Sequence, residues 1–114
     1  MIVQGQGSKN CYLGIEHPYE SAKVVIQPVP FDQTTTYVHG SDKGPAALIE
    51  ASRNLELYDI ETGLEVYEQG IHTAKAIESG SSEKMLEEVY LRVKKHLMKD
   101  KFVVTLGGEH SISF

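Results

Sequence analysis

Short, continuous apolar runs alternate along this chain with stretches whose apolar residues recur at helical spacing. Two of the runs, Val24–Val29 and residues 102–106, are rich in β-branched residues and have almost no polar position, which is typical of strands covered on both faces in a parallel sheet. A weaker run over residues 64–73 follows the turn signal Thr62-Gly63 and indicates another strand. The pattern therefore predicts three strands.

Two helices are predicted between these strands. Pro45 suits the first turn of a helix, because its missing amide hydrogen would have no partner there, and good helix formers follow it over residues 45–58. The second helix begins after a Ser81-Ser82 N-cap signal and ends near Lys99. The side of the first helix expected to face the sheet comprises Leu48, Ile49, Ala51, Ser52 and Leu55. The apolar stripe of the second comprises Leu86, Val89, Tyr90, Val93 and Leu97.

The order strand, helix, weak strand, helix, strand predicts an α/β fold with a parallel sheet and right-handed crossovers. Residues 1–20 read as an irregular lead-in arm, and residues 1–114 form at most one small domain.

Composition narrows the function classes. Sixteen acidic residues against eleven basic ones give a formal charge of -5, which disfavours a nucleic-acid partner. The single cysteine, Cys11, cannot form an internal disulfide, and no apolar run has the length of a signal peptide core or a membrane span. We therefore expect a cytoplasmic protein that binds neither nucleic acid nor membrane.

The chemistry concentrates in Gly107-Gly108-Glu109-His110-Ser111, directly after the last apolar run. In open α/β sheets ligands bind beyond the carboxyl ends of the strands, where His110 could present a neutral imidazole to a divalent ion, with Glu109 or Ser111 hydrogen-bonded around it. Two other interpretations stay open for the bare motif: a helix-initiating turn with Ser111 as N-cap, and a phosphate-binding loop.

This motif resembles the Gly-Gly-Asp/Glu-His-Ser signature of the ureohydrolases, the arginase and agmatinase family. Three upstream segments also resemble that family, and agmatinases most closely: Pro28-Val29-Pro30-Phe31-Asp32, Thr35-Thr36-Tyr37 and Gly40-Ser41-Asp42-Lys43-Gly44-Pro45-Ala46-Ala47. The resemblance covers most of this chain but roughly the first two-fifths of a typical family member, judged on domain size. It implies the amino-terminal part of a three-layer α/β/α arginase-like domain with a mostly parallel sheet.

The resemblance also implies an activity, the hydrolysis of a guanidino compound to urea and an amine by a two-manganese centre that activates a bridging water. His110 is the matching manganese ligand, and His39 lies in the loop that borders the family's substrate pocket. Agmatine, giving putrescine, is the first expected substrate, and arginine or another guanidino acid is the alternative. The family's Asp-x-His-x-Asp motif does not occur in these residues.

Because one imidazole would bind manganese too weakly, we expect this 114-residue chain to be inactive as it stands. A non-catalytic interaction module is the alternative from a different class. Half of a parallel sheet would also leave an open strand edge, so we expect the chain to self-associate, as a homo-oligomer, or to be marginally stable.

Overall fold

The computed structural model describes residues 10–31, 40, 43–78 and 81–108. Within these residues the chain forms three strands, two helices and two short 3₁₀ turns. The strands and helices are β1 (Val24–Val29), α1 (Gly44–Ser52), β2 (Ile71–Thr73), α2 (Ser82–Met98) and β3 (Phe102–Gly107). The 3₁₀ turns cover Tyr12–Gly14 and Val66–Gln69.

The sheet has the strand order β2-β1-β3, so the first strand along the chain lies in the middle. Both pairings are parallel, with Val24 opposite Ile71 on one side and opposite Phe102 on the other. The predicted parallel α/β sheet is therefore confirmed.

The helices lie on opposite faces of this sheet. The connection from β1 to β2 and the connection from β2 to β3 cross the sheet in opposite directions, and right-handed crossovers then place α1 and α2 on different faces. Alternate residues of β1 point to the α2 side, since Gln27 bonds to His96 and Val29 packs with Met85. This is the three-layer α/β/α arrangement that the family resemblance implied.

The main apolar cluster lies between α2 and the carboxyl end of β1. It consists of Val29, Phe31, Ile77 and Met85, with Leu86 and Val89 of α2 packed against it. The amide of Ile77 donates to the carbonyl of Pro28 at 3.0 Å, which holds the segment after β2 against β1. The core thus lies close to the edge where the strands end.

Helix α1 is shorter than the sequence predicted. It ends at Ser52 rather than near residue 58, because the amides of Asn54 and Leu55 donate to carbonyls only three residues back. Its buried residues are Pro45, Ile49 and Ser52, whereas Leu48 and Leu55 are half exposed. The predicted sheet-facing side was therefore wrong at Leu48, Ala51 and Leu55.

The second and third strands also differ from expectation. The segment predicted as a strand over residues 64–73 is extended in the sheet only at Ile71–Thr73, because Val66–Gln69 form a 3₁₀ turn and Gly70 has a φ of 92°. Strand β3 was expected to be covered on both faces. In the sheet of the described residues it is an outer strand whose residues are only partly buried or exposed, and Phe102 is 69% exposed.

Helix α2 matches its predicted bounds closely. Ser81 is the N-cap, and its hydroxyl accepts a hydrogen bond from the amide of Lys84 at 3.3 Å. The buried residues of α2 are Met85 and His96, while Tyr90 and Leu97 of the predicted stripe are exposed. Neither helix in the described part of the chain is long and apolar enough to cross a membrane.

The described part of the lead-in arm is irregular, as predicted, but it is firmly packed. The amide of Tyr12 donates to the Thr73 hydroxyl at 2.8 Å. The amide of Leu13 donates to the Ser52 hydroxyl, also at 2.8 Å, and the Leu13 side chain is buried although its φ is 61°. These bonds attach the arm to β2 and to the carboxyl end of α1.

Candidate functional site

The carboxyl ends of the parallel strands meet at one edge of the sheet. Strands β1 and β3 end opposite each other, with Val29 paired to Gly107, and the amide of Gly108 donates to the carbonyl of Val29 at 3.2 Å. This bond directs the glycine pair of the predicted metal motif into the crevice where ligands of open α/β sheets bind.

The amino terminus of α1 reaches the same edge. A Cβ atom built on Gly44 would lie 3.7 Å from the carbonyl oxygen of Gly107, so α1 begins in contact distance of the end of β3. Pro45 is fully buried there, and the amide of Lys43 donates to the carbonyl of Gly40 at 3.0 Å. Two of the segments that resemble the ureohydrolases, distant along the sequence, are therefore neighbours in space.

Both predicted site residues lie just outside the described residues. His39 immediately precedes Gly40, and His110 follows Gly108 after one residue. The metal role of His110 and the substrate role of His39 stay predictions, although the residues next to both lie toward the same end of the fold.

The manganese centre is not supplied by the described residues. Within residues 10–31, 40, 43–78 and 81–108, no group of three or more His, Cys, Asp or Glu side chains is placed to hold a metal ion. A two-ion centre needs several carboxylates and imidazoles, so this part of the chain does not fit one by itself.

A buried polar network lies between α2 and β1. His96 Nδ1 is 2.7 Å from the Tyr19 hydroxyl, and His96 Nε2 is 3.1 Å from Gln27 Oε1. The Gln27 amide nitrogen donates to the carbonyls of Lys75 and Pro28, so its oxygen faces His96. That orientation assigns the proton of neutral His96 to Nε2, with Nδ1 accepting from Tyr19.

The electrostatics of this network favour the neutral forms. Burial, followed by the neighbouring charges of Lys95 and Arg92, lowers the pKa of His96, and burial with the nearby Glu20 carboxylate raises the pKa of Tyr19. A neutral imidazole, a neutral phenol and an amide can satisfy one another without a buried charge, so the network fastens α2 to the sheet.

Lys101 extends this connection to the lead-in arm. Its side chain is 6% exposed and donates to the carbonyls of Tyr19 and Ala22 at 2.5 and 2.7 Å, with the ammonium 4.4 Å from the Tyr19 ring centre. Sequence reasoning missed both features. The signal that could have revealed the network is Gln27, one polar residue within an otherwise apolar strand.

A separate cleft of about 480 Å³ lies beside β2 and is lined by Cys11, Glu16, His17, Pro18, His72 and Thr73. Both imidazoles that line this cleft have hydrogen-bond partners within the protein. His72 Nδ1 lies 2.7 Å from the carbonyl oxygen of His17, and His17 Nε2 lies 3.0 Å from the Ser21 hydroxyl. Cys11 is half-buried. Among the described residues, the side chains that line this cleft do not form a group that could hold a metal ion.

The fold and the candidate site define a class of α/β proteins with a parallel sheet and helices on both faces. In this class a glycine turn follows β3 at the ligand edge, the edge of the sheet where the carboxyl ends of the strands meet. The sequence model of the arginase family matches residues 22–114, a span that includes the whole sheet. The chain belongs to the arginase family, and the predicted resemblance is confirmed.

The similar proteins are ureohydrolases by name. The chain is 40% identical to N(1)-aminopropylagmatine ureohydrolase of Thermus thermophilus over 84% of its own length and 33% of that protein. It is 39% identical to agmatinase of Bacillus cereus over 86% of its length and 35% of that protein. The crystal structure of agmatine ureohydrolase of Thermoplasma volcanium superposes on 99% of this chain with a TM-score of 0.81 and 30% identity, and 36% of that structure is covered.

The chain thus spans about a third of the length of these relatives, somewhat less than the two-fifths expected from domain size. The activity of the relatives belongs to proteins about three times as long.

Proposed function

We propose that this chain forms part of an agmatinase-like ureohydrolase, an enzyme that hydrolyses a guanidino compound to urea and an amine. The observation that carries the proposal is the match to the arginase family over residues 22–114, supported by 39–40% identity to proteins named as ureohydrolases and agmatinases. The contact of Gly44 with Gly107 supports it further, because it unites two of the family-like segments at the ligand edge.

The proposed substrate is agmatine, with putrescine and urea as products. The named relatives favour an agmatine unit, since N(1)-aminopropylagmatine and agmatine share a guanidino end and differ only in what is attached at the other end. Arginine stays the alternative, because it carries the same guanidino group beside a carboxylate. The expected position of His39, immediately before Gly40, makes it the candidate residue of this chain on the substrate side.

The proposed cofactor is manganese, with His110 as the ligand that this chain contributes. The centre when assembled would supply a metal-activated water. Since the described residues hold no cluster that fits a metal ion and the sequence has no Asp-x-His-x-Asp motif, we propose that the 114-residue chain is inactive by itself. The half-buried single cysteine agrees with a proposed cytoplasmic setting.

Urea release tests both parts of this proposal. The purified chain is incubated with Mn²⁺ and agmatine, N(1)-aminopropylagmatine or arginine, and it should release no urea. A chimera in which this chain replaces the matching third of the Bacillus cereus agmatinase should release urea from agmatine in preference to arginine. In that chimera His110→Ala should abolish release, whereas a His96→Gln control should leave activity in the folded fraction.

The outcomes separate the two claims. Urea released by the isolated chain would contradict its proposed inactivity. A chimera that folds, as judged by circular dichroism, yet releases no urea from any of the three compounds would contradict the ureohydrolase assignment of this segment.

A further inference from the structure

The cleft beside β2, which we call the β2 cleft, has walls that carry hydrogen-bond acceptors and no basic side chain. Its volume of about 480 Å³ lies within the range of about 300–1,000 Å³ that is usual for small-molecule sites. Among the described residues, no lysine or arginine lines it, and Glu16 is the lining residue that carries a full charge beside neutral imidazoles. These walls favour a cationic ligand over an anionic one.

The Glu16 carboxylate is available to such a ligand. Glu16 is exposed, and no hydrogen bond or ion pair within the described part of the chain uses its side chain. An ionised carboxylate only accepts hydrogen bonds, so it pairs with N–H donors. Because a single exposed ion pair is weak, a ligand held here needs a further acceptor.

His72 supplies that acceptor in a fixed orientation. Its Nδ1 lies 2.7 Å from the carbonyl oxygen of His17, and a carbonyl only accepts, so Nδ1 carries the proton of the neutral imidazole. The other nitrogen, Nε2, then presents a lone pair. Nε2 has no hydrogen-bond partner in the described part of the chain, and it is not sealed from solvent. The Tyr19 ring, in an edge-to-face contact with a 5.4 Å separation of the ring centres, also holds the imidazole in place.

The remaining walls suit an aliphatic chain. Pro18 is apolar, and the half-buried Cys11 behaves as a small hydrophobic residue with a weak donor. The Thr73 hydroxyl already accepts from the amide of Tyr12 at 2.8 Å. The polar contacts of a ligand are therefore left to Glu16 and His72, and its carbon atoms are left to Pro18 and Cys11.

A metal ion does not fit these walls as well as an ammonium group does. In the described ranges, the histidine, cysteine and glutamate side chains are nowhere grouped closely enough to hold a metal ion. An ammonium group has three N–H donors and needs no such closed set of ligands. Lys101 occupies a different place, since its ammonium is held by the carbonyls of Tyr19 and Ala22 and does not line the cleft.

We propose that the β2 cleft binds a short protonated alkylamine, with the Glu16 carboxylate and His72 Nε2 accepting its N–H groups and with its methylene groups against Pro18 and Cys11. Putrescine is one such amine, and this identification alone rests on the proposed function, in which putrescine is a product. The cleft borders β2, on the other side of β1 from β3, so binding there does not require the glycine turn that follows β3.

The single cysteine makes occupancy of the cleft measurable. Methyl methanethiosulfonate, which reacts with thiols and not with amines, should modify the half-buried Cys11 more slowly when an amine fills the cleft. The 114-residue chain is treated at constant ionic strength without added metal. At about pH 8, n-butylamine and putrescine are protonated. Each should slow the modification at least about threefold, with half of the effect at roughly millimolar concentration, whereas the uncharged 1-butanol should have no effect.

Matched substitutions test the two acceptors. Glu16→Gln removes the charge but keeps the shape, and it should raise the amine concentration for half protection roughly tenfold. His72→Asn keeps a donor for the His17 carbonyl and removes the Nε2 acceptor, so it should raise that concentration roughly fivefold. The control Glu61→Gln removes an exposed negative charge outside the cleft and should change it by less than about twofold. Circular dichroism should show the same fold in all three variants.

The possible outcomes are distinct from those of the urea assay. Absence of protection by both amines, equal protection by 1-butanol and n-butylamine, or protection unchanged by Glu16→Gln and His72→Asn would each overturn the proposal. Protection by n-butylamine but not by putrescine would overturn the identification of the product amine. Because this experiment uses no metal and measures no turnover, its failure would leave the ureohydrolase assignment standing, and failure of the chimera to release urea would leave the amine site standing.

Discussion

Gly70 is the position where a single methyl group should do the most damage to the backbone of this chain. The residue joins the Val66–Gln69 turn to β2 with a φ of 92° and a ψ of 107°, a conformation that residues with a Cβ rarely adopt. Its carbonyl accepts hydrogen bonds from the amides of Lys23 and Val24, so it also fixes the start of β1. A Gly70→Ala substitution therefore strains a junction between two strands.

The structure gives the size of this effect in two parts. Holding alanine at this φ costs about 1–3 kcal/mol. The new Cβ would also lie 2.6 Å from His17 Nε2 and 3.0 Å from the Cα of Ala22. The imidazole can rotate away from its 3.0 Å contact with Ser21, but the Ala22 backbone is buried and must shift, which adds about 1–3 kcal/mol. The expected loss, about 2–6 kcal/mol in total, is a large part of a typical stability of about 5–15 kcal/mol.

Urea denaturation followed by circular dichroism measures this loss, with the slope m compared to show that the folded state is unchanged. Gly63→Ala is the matched control. Its φ is 71° but the nearest atom to its new Cβ is the Tyr58 hydroxyl at 3.7 Å, so only the backbone cost of about 1–2 kcal/mol remains. In a His17→Ala background the Gly70→Ala loss should shrink by about 1 kcal/mol. Equal losses for Gly70→Ala and Gly63→Ala would refute the steric reasoning.

Three further outcomes are expected. Met85→Ala removes a side chain with no exposed surface and should lower the free energy of unfolding by about 2–5 kcal/mol, while Ile60→Ala, at an 81% exposed position, should change it by less than about 0.5 kcal/mol in the same denaturation assay. Ser52→Ala deletes the hydroxyl that accepts from the Leu13 amide and donates to the Ile49 carbonyl, so differential scanning calorimetry should show a loss of about 1–3 kcal/mol, and no loss would contradict the role of that bridge. Burial lowers the pKa of His96, so the unfolded chain takes up this proton first as the pH falls through about 6.5. The melting temperature should therefore fall between about pH 7.5 and 5.5. His96→Gln should flatten that fall, and an unchanged fall in this variant would contradict the role of His96.

Local patterns in the sequence were sufficient to predict the bounds of two elements, β1 and α2. The apolar run of β1 and the serine N-cap with helical spacing of α2 predicted both elements nearly to the residue. The end of α1 and the start of β2 were missed, since they depend on a change to three-residue hydrogen bonds after Ser52 and on the positive φ of Gly70. The exposure of β3 could not be predicted either, because it depends on the order of the strands in the described sheet, which no local pattern contains.

Some features of the candidate site could be predicted from local sequence, and others could not. The motif at residues 107–111 and the upstream segments indicated the family correctly, because they are short and specific. Their meeting at Gly44 and Gly107 needs the complete crossover geometry, which no local pattern contains. The bonds of His96 to Tyr19 and Gln27 join residues 77 and 69 positions apart in the sequence, so the network is visible only in the fold.

Strand β1 is the first strand to be synthesised, but because it lies in the centre of the sheet its pairing is completed only after β3 has been synthesised. Among the described residues, Val24, Val25 and Ile26 have partners on β2, but the second half of β1 pairs only with Thr105, Leu106 and Gly107 of β3. While the ribosome makes the chain, Val29 and the rest of that half stay without a strand partner until the last described residues emerge. A nascent chain stopped within α2 would present an apolar, half-paired strand, a natural target for chaperones that bind extended apolar segments.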